Sequence, residues 1–178
     1  MQPLPHHLKS RNFDVHKYSA VWLSQSTMTC TVGLWNLSGQ LVGFQQYKPN
    51  AGKERPKYPR DARYFTYATR PHKEAQLLAF GVELLNPRKR VVFIVEGMFD
   101  AVRLHNMGQN CIATLSNNPK HLRSWLRSLG YYIIALCEGD EAGKRLASSA
   151  DEAVYLPDGK DPADMSIEWY ADLITKYP

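Results

Sequence analysis

Val91-Val92-Phe93-Ile94-Val95-Glu96-Gly97 is the stretch that decides the fold predicted from this sequence. Five consecutive apolar residues end abruptly in a carboxylate and a glycine. A short, wholly apolar run of this kind is typical of a strand that is buried on both faces of a parallel sheet. The pattern recurs at residues 131–136, which lead through Cys137 into Glu138-Gly139-Asp140.

The residues around these two strands alternate between strand and helix patterns. We predict strands at 91–95, 111–115, 131–136 and 153–156, and helices at 73–86, 98–107, 119–129, 140–150 and 166–176. Strands that alternate with helices indicate βαβ units. The predicted fold class is therefore α/β, with a mostly parallel sheet flanked by helices.

Acidic residues follow the predicted strands and form the candidate catalytic and metal-binding site. Ligands of such sheets collect at the carboxyl ends of the strands, so we expect these acids to meet there. The candidate catalytic residues are Glu96, Asp100, Glu138 and Asp140, and the candidate metal ligands are Glu96, Glu138, Asp140 and Asp161. Carboxylates this close repel one another unless cations neutralise them, and Mg²⁺ or Mn²⁺ prefers oxygen ligands. For Asp140, a second use as the N-cap of the following helix stays open.

The chain before the central strand is basic and carries a predicted β-hairpin. Residues 1–90 hold 14 Lys and Arg against 5 Asp and Glu, whereas residues 91–178 hold 8 against 12. Alternating residues from Ser26 to Leu34, a turn at 37–40 and residues 41–47 predict the hairpin. Residues 1–25, with prolines and scattered basic residues, predict an irregular or extended lead. We divide the chain into a small mixed α+β basic subdomain, 1–72, and a second domain, 73–178.

A basic segment follows the hairpin and is the candidate nucleic-acid contact. The candidate residues for binding nucleic acid or nucleotide are Lys48, Lys53, Arg55, Lys57, Arg60 and Arg63, with Lys144 in the later half. Tyrosines and a phenylalanine lie between them, so that the basic side chains can contact phosphates while the rings stack on bases. A solvated loop with its tyrosines packed beneath is the alternative, and the residues alone leave both open.

Three motifs in order resemble the Toprim domain, which occurs in primases, topoisomerases and some nucleases. They are Glu96-Gly-x-x-Asp100, Glu138-Gly-Asp-x-Ala-Gly143 and Gly159-Lys-Asp-Pro162. The second motif departs from the family's Asp-x-Asp, because glutamate stands at position 138. The hairpin and Lys57-Tyr58 look like the segment before the Toprim domain of bacterial primases. After Gly43-Phe44, where that resemblance implies an arginine, this chain has Gln45-Gln46-Tyr47-Lys48.

The resemblance implies the RNA polymerase core of a bacterial or phage DNA primase, which makes short RNA primers on single-stranded DNA from ribonucleoside triphosphates with Mg²⁺ or Mn²⁺. A Toprim nuclease and a non-catalytic module that binds nucleic acid or a replication protein are the alternatives. A topoisomerase would need far more chain. A helicase or a zinc-bearing partner acting in trans is left open, and the sequence has no Cys-x-x-Cys pair for a zinc module of its own.

The remaining composition predicts a cytoplasmic location, in the host cytoplasm for a phage protein. No apolar run approaches the ~20 residues that span a bilayer, so no membrane partner is expected. Cys30, Cys111 and Cys137 lie in apolar or strand-like runs and are predicted to be buried free thiols.

Overall fold

A computed structural model describes residues 2–36, 38–52, 54, 56–69, 77–116 and 118–177 of the 178-residue chain. Its helices and strands, in chain order, are α1 (Leu4–Ser10), β1 (Val21–Ser24), β2 (Thr29–Trp35), β3 (Leu41–Tyr47), β4 (Tyr64–Ala68), β5 (Val91–Val95), α2 (Met98–Asn106), β6 (Cys111–Ala113), α3 (Arg123–Arg127), β7 (Tyr132–Cys137), α4 (Glu141–Ala147), β8 (Glu152–Tyr155) and α5 (Ile167–Lys176).

The first four strands form an antiparallel sheet in the order β1-β2-β3-β4. The predicted hairpin is β2 and β3, in which Cys30 lies opposite Tyr47 and Thr31 opposite Gln46. Alternation places Cys30 and Tyr47 on the inner face, where both are buried. The inner face of this sheet therefore packs on the rest of the molecule.

The last four strands form a parallel sheet in the order β6-β5-β7-β8. Residues 92–95 of β5 are 0–1% exposed, which explains why the strand is apolar at every position. Strands β5 and β7 are neighbours, so the residues that follow them, Glu96 and Glu138, leave the sheet at the same edge. The predicted α/β class, with a parallel sheet flanked by helices, is confirmed.

One apolar cluster runs through both sheets. It joins Leu4 and Leu8 of α1 and Tyr47 of β3 to Phe93 of β5 and Tyr170 of α5. The predicted domain boundary, between residues 72 and 73, lies outside the described residues and stays a prediction.

The helix predicted over residues 73–86 is wrong where the structure describes the chain, from residue 77 onward. Ala79 pairs with Trp35 of β2 and Phe80 pairs with Ala113 of β6, so this extended segment connects the two sheets. Gly81 has a φ of 91°, and a Cβ there would lie 2.8 Å from the carbonyl oxygen of Cys111. Ala79 and Phe80 are apolar because they are buried between the two sheets. In the sequence, the apolar residues of this segment resemble the buried face of a helix.

The irregular or extended lead predicted for residues 1–25 is wrong at Leu4–Ser10, which forms α1, whereas β1 is extended as the prediction allowed. Pro5 lies in the first turn of α1, and Asn12, with a φ of 57°, follows the end of the helix. Proline near the start and asparagine after the end are both helix boundary signals.

The three cysteines are buried free thiols, as predicted. Burial raises the pKa of Cys30 to about 12 and that of Cys137 to about 11, so both stay protonated at neutral pH. No helix in the described ranges is long and apolar enough to cross a membrane.

Candidate active site

A cleft of about 400 Å³ lies at the carboxyl edge of the parallel sheet and faces the antiparallel sheet. Its acidic wall is formed by Glu96, Asp100, Glu138 and Asp161. Its opposite wall comes from the first part of the chain and carries Arg11, Gln45 and Tyr64. Four of the acids selected from the sequence therefore share one cleft with side chains of the basic half.

Glu96 follows β5 directly and is half-buried. Burial raises the pKa of its carboxyl group, and the charges of Asp140 and Glu138 raise it further, against a smaller opposing effect of Arg145. Acids from two neighbouring strand ends thus lie close enough to repel each other.

Asp100 lies one helical turn after Glu96, in the first turn of α2. Its Oδ2 accepts a hydrogen bond from the backbone N–H of Gly97 at 3.2 Å, which caps the helix. A Cβ at position 97 would lie 2.7 Å from that oxygen, so glycine is needed for the approach. Burial raises the pKa of Asp100 to about 7, with Asp161 and Glu138 adding to the shift and the Gly97 hydrogen bond and Arg11 opposing it.

Glu138 and Asp140 are held by the turn between β7 and α4. The Oδ1 of Asp140 accepts from the backbone N–H of Gly143 at 2.8 Å, so Asp140 is the N-cap of α4. A Cβ on Gly143 would lie only 2.0 Å from the carbonyl oxygen of Glu138, which shows how tightly the helix start packs on this residue. Burial is the largest cause that raises the pKa of Glu138, and the negative charges of Asp140, Asp161 and Asp164 raise it further. N-capping uses one carboxylate oxygen of Asp140 and leaves the other for a ligand.

Asp161 and Asp164 bracket a single helical turn beyond β8. The Oδ1 of Asp161 accepts from the N–H of Asp164 at 3.1 Å, and the Oδ2 of Asp164 accepts from the N–H of Asp161 at 3.3 Å. With Glu138, Asp140 and Asp158, they line a second groove of about 600 Å³ beside the cleft. The acidic rim therefore extends over the ends of β5, β7 and β8.

The ligand atoms that the acidic rim offers determine whether it suits a divalent cation. In the described part of the chain, no three His, Cys, Asp or Glu side chains lie close enough to hold a metal ion as they stand. The donors are carboxylates: burial first, and then the charges of neighbouring acids, raise the pKa values of Glu96 and Glu138. Hard oxygen ligands under mutual repulsion fit Mg²⁺ or Mn²⁺ in chemical type and in charge.

Two of the predicted nucleic-acid residues hold the basic loop together. The guanidinium of Arg63 donates from Nε and Nη2 to the carbonyl oxygen of Ala51, at 2.9 and 2.7 Å. The ammonium of Lys48 donates to the carbonyl oxygen of Arg60. Lys48 and Arg63 thus shape the loop, although both were selected for phosphate contact.

Lys57 and Arg60 are exposed on the same loop, and their charged groups lie 5.4 and 5.8 Å from the centroid of the Tyr58 ring. An exposed ring near two cations offers both stacking and charge to a nucleic-acid strand. Lys53 and Arg55 lie outside the described residues.

Lys144 does not line the cleft. Its ammonium is paired with Glu141 at 2.6 Å on the exposed surface of α4.

Arg11 is a charged cleft residue that the sequence did not indicate. It lies at the end of α1, and its guanidinium carbon is 4.1 Å from the centroid of the Phe99 ring. The helix boundary signals at Pro5 and Asn12 could have predicted α1, but no sequence pattern indicates that its last turn contacts α2.

The comparisons with known proteins agree with this geometry. Residues 93–166 match the family model described as Toprim-like. This segment is similar to Toprim-like domains. It covers the last three residues of β5, all of β6 to β8, and the acids Glu96, Asp100, Glu138, Asp140 and Asp161. A search of curated proteins finds no match to the sequence.

Solved primase structures share the fold across both sheets. A DNA primase domain from Pseudomonas aeruginosa is 19% identical, with 88% of this chain covered, 56% of that chain covered and a TM-score of 0.60. The RNA polymerase domain of Mycobacterium tuberculosis primase, in complex with double-stranded DNA, is 20% identical, with coverages of 97% and 63% and a TM-score of 0.56. The primase fragment of the bacteriophage T7 primase-helicase is 16% identical, with coverages of 88% and 65% and a TM-score of 0.57. The chain spans between about half and two thirds of the length of these relatives.

Proposed function

We propose that the protein is a primase-like nucleotidyltransferase that makes short RNA on a single-stranded DNA template. The observation that carries this proposal is the cleft itself. Acids from three adjacent strand ends form one wall, and residues of the basic half form the other. The primase-type fold of both sheets supports the proposal. The proposed location is the cytoplasm, where template and ribonucleotides are available.

We further propose that Glu96, Glu138, Asp140 and Asp161 bind Mg²⁺ or Mn²⁺. When bound, such an ion supplies neutralisation of phosphate charge and activation of an attacking hydroxyl group. The protein itself contributes position: β5 and β7 set the spacing of Glu96 and Glu138, and the N-cap hydrogen bond orients Asp140. Asp100, whose raised pKa keeps it partly protonated near pH 7, supports the start of α2 beneath Glu96.

Template binding is assigned to the exposed side of the basic loop. Lys57 and Arg60 contact phosphates, and Tyr58 stacks on a base. A replicative helicase or a zinc-bearing protein acting in trans is the further partner that this proposal leaves open.

The deciding experiment is incubation with single-stranded DNA, the four ribonucleotides and Mg²⁺ or Mn²⁺, with products resolved on a sequencing gel. Short, template-dependent RNA is expected. Shortening of labelled DNA without RNA synthesis would favour a nuclease instead. Inactivity with either metal, together with retained DNA binding, would favour a non-catalytic module.

Substitutions at Glu138 test the proposed metal site directly. The longer side chain at this position suits the tolerant geometry of Mn²⁺ better than the strict octahedron of Mg²⁺. We expect wild type to prefer Mn²⁺, Glu138→Asp to gain activity with Mg²⁺, and Glu138→Gln to lose activity with both. Asp172→Asn, on the exposed surface of α5, is the charge-matched control and should behave as wild type. Full activity of Glu138→Gln would show that Glu138 is not a metal ligand.

A further inference from the structure

The wall of the cleft opposite the acids contains a buried amide with an unused hydrogen-bonding atom. Gln45 lies on the inner face of β3 and is 5% exposed. Its Nε2 donates to the hydroxyl of Thr66 at 3.0 Å. Its Oε1 is buried and has no hydrogen-bond partner among the residues that the structure describes. A buried polar atom without a partner costs free energy, and Gln45 lines the cleft, so a ligand there that donates a hydrogen bond to this oxygen would remove that cost.

The same wall carries a fixed positive charge. Arg11 is the one basic side chain among the described residues that line the cleft. Its guanidinium carbon lies over the Phe99 ring, 4.1 Å from the ring centroid, in a cation–π contact. The N–H donors lie in the plane of the guanidinium and match the oxygens of a phosphate in pairs.

The position of Arg11 is set by the way α1 ends. The N–H of Phe13 donates to the carbonyl of Leu8 and the N–H of Asn12 to that of Lys9, at N–O distances of 3.0 and 2.9 Å. This pair of bonds, with Asn12 in the left-handed region, is a Schellman motif. Leu8 and Phe13 are both buried in the core, so the end of α1 is anchored on either side of Arg11.

We propose that Arg11 and Gln45 form the nucleotide-binding wall of the cleft, with Arg11 on a phosphate and Gln45 on a ribose hydroxyl. A hydroxyl donates and accepts, so it complements the free end of the amide in either orientation of the side chain. Gln45 is then the residue that selects ribonucleotides over deoxyribonucleotides. This inference rests on the proposed function, because it names the part of that active site that recognises the sugar.

The sugar preference is tested by calorimetric binding of ATP and of 2′-deoxy-ATP in the presence of Mn²⁺. Wild type should bind ATP about 10-fold more tightly, since one buried hydrogen bond of about 1.4 kcal/mol changes affinity tenfold. Gln45→Met keeps the length of the side chain but removes the amide, and it should reduce the preference to less than about 2-fold. Equal binding of the two nucleotides by wild type would overturn the assignment of Gln45, and this result does not depend on how well the variant folds.

The phosphate contact is tested with Arg11→Ala, and Lys9→Ala is the matched control because Lys9 is exposed on the same helix. Arg11→Ala should weaken ATP binding about 10-fold or more and leave the weak binding of adenosine unchanged. Arg11→Lys should recover part of the affinity, whereas Lys9→Ala should bind as wild type. Equal ATP affinity of Arg11→Ala and wild type would overturn the assignment of Arg11.

The failure of this inference is distinguishable from failure of the proposed function. If wild type makes RNA but Gln45→Met and Arg11→Ala keep its nucleotide affinities, the inference is wrong and the function stands. If wild type binds ATP with the expected preferences but makes no RNA, the nucleotide-binding wall stands and the proposed polymerase activity is wrong.

Discussion

Replacement of Asp100 by asparagine should stabilise the metal-free protein, and the gain should depend on pH. Burial, with the neighbouring Asp161 and Glu138, raises the pKa of this carboxyl group from 3.8 to about 7. Well below pH 3.8 the group is protonated in both the folded and the unfolded chain and carries no penalty. As the pH rises from about 4 to about 7, the unfolded chain loses its proton first, so the stability of wild type falls.

The size of the effect follows from the same pKa values. A rise from 3.8 to about 7 corresponds to up to about 4 kcal/mol at pH 8, at about 1.36 kcal/mol for each pKa unit. Asparagine keeps an oxygen that accepts from the N–H of Gly97, so Asp100→Asn removes the charge and leaves the helix start intact. Urea unfolding in EDTA, followed by circular dichroism at pH 4, 6 and 8, measures the difference.

Asp172→Asn is the control for this experiment, because Asp172 is exposed on α5 and its replacement should change the free energy of unfolding by less than about 0.5 kcal/mol at each pH. A gain for Asp100→Asn that is equal at pH 4 and pH 8 would refute the reasoning. So would a variant that is less stable than wild type at pH 8.

Three further predictions concern the metal, the template and the turn that holds the acids. Mn²⁺ at 100 times its Kd should stabilise wild type by about 2.7 kcal/mol, seen as a higher melting temperature, and Glu96→Gln should lose most of this gain. Replacing Lys57 and Arg60 by alanine should weaken single-stranded DNA binding, measured by fluorescence anisotropy. The slope of log affinity against log salt concentration should become shallower by about 0.7 for each phosphate that is no longer neutralised. Gly143→Ala should destabilise the protein by about 1–3 kcal/mol in urea, because its Cβ would lie 2.0 Å from the carbonyl oxygen of Glu138.

The loop and the turn each have a matched control in the chain. For the loop, Lys120→Ala with Arg127→Ala removes two exposed charges near α3 and should leave the salt slope unchanged. For the turn, Gly52→Ala should be close to neutral, since a Cβ there meets its nearest atom at 3.9 Å. If the salt dependence of DNA binding is unchanged when Lys57 and Arg60 are both replaced, the loop is a solvated surface and does not contact phosphates. An equal Mn²⁺ effect in wild type and Glu96→Gln would exclude Glu96 as a ligand.

The elements of the parallel sheet were predictable because their signals are local. The apolar run at residues 91–95 and the one ending at Cys137 are buried on both faces, and this requirement appears directly as consecutive apolar residues. The carboxylates that follow each run are placed by strand order alone, since neighbouring parallel strands end at one edge. The assignment of Glu96 and Glu138 to a metal remains a prediction.

Tertiary structure alone decided which side chains face these acids. Residues 77–86 have the apolar content of a helix, but Ala79 and Phe80 are buried because they connect the two sheets. Arg63, selected for phosphate, is used by the backbone of its own loop. Arg11 reaches the cleft because the end of α1 packs on Phe99, which is distant from it in the chain. Sequence patterns report burial and local backbone geometry, whereas a contact between distant segments depends on how complete elements pack, and no local pattern encodes it.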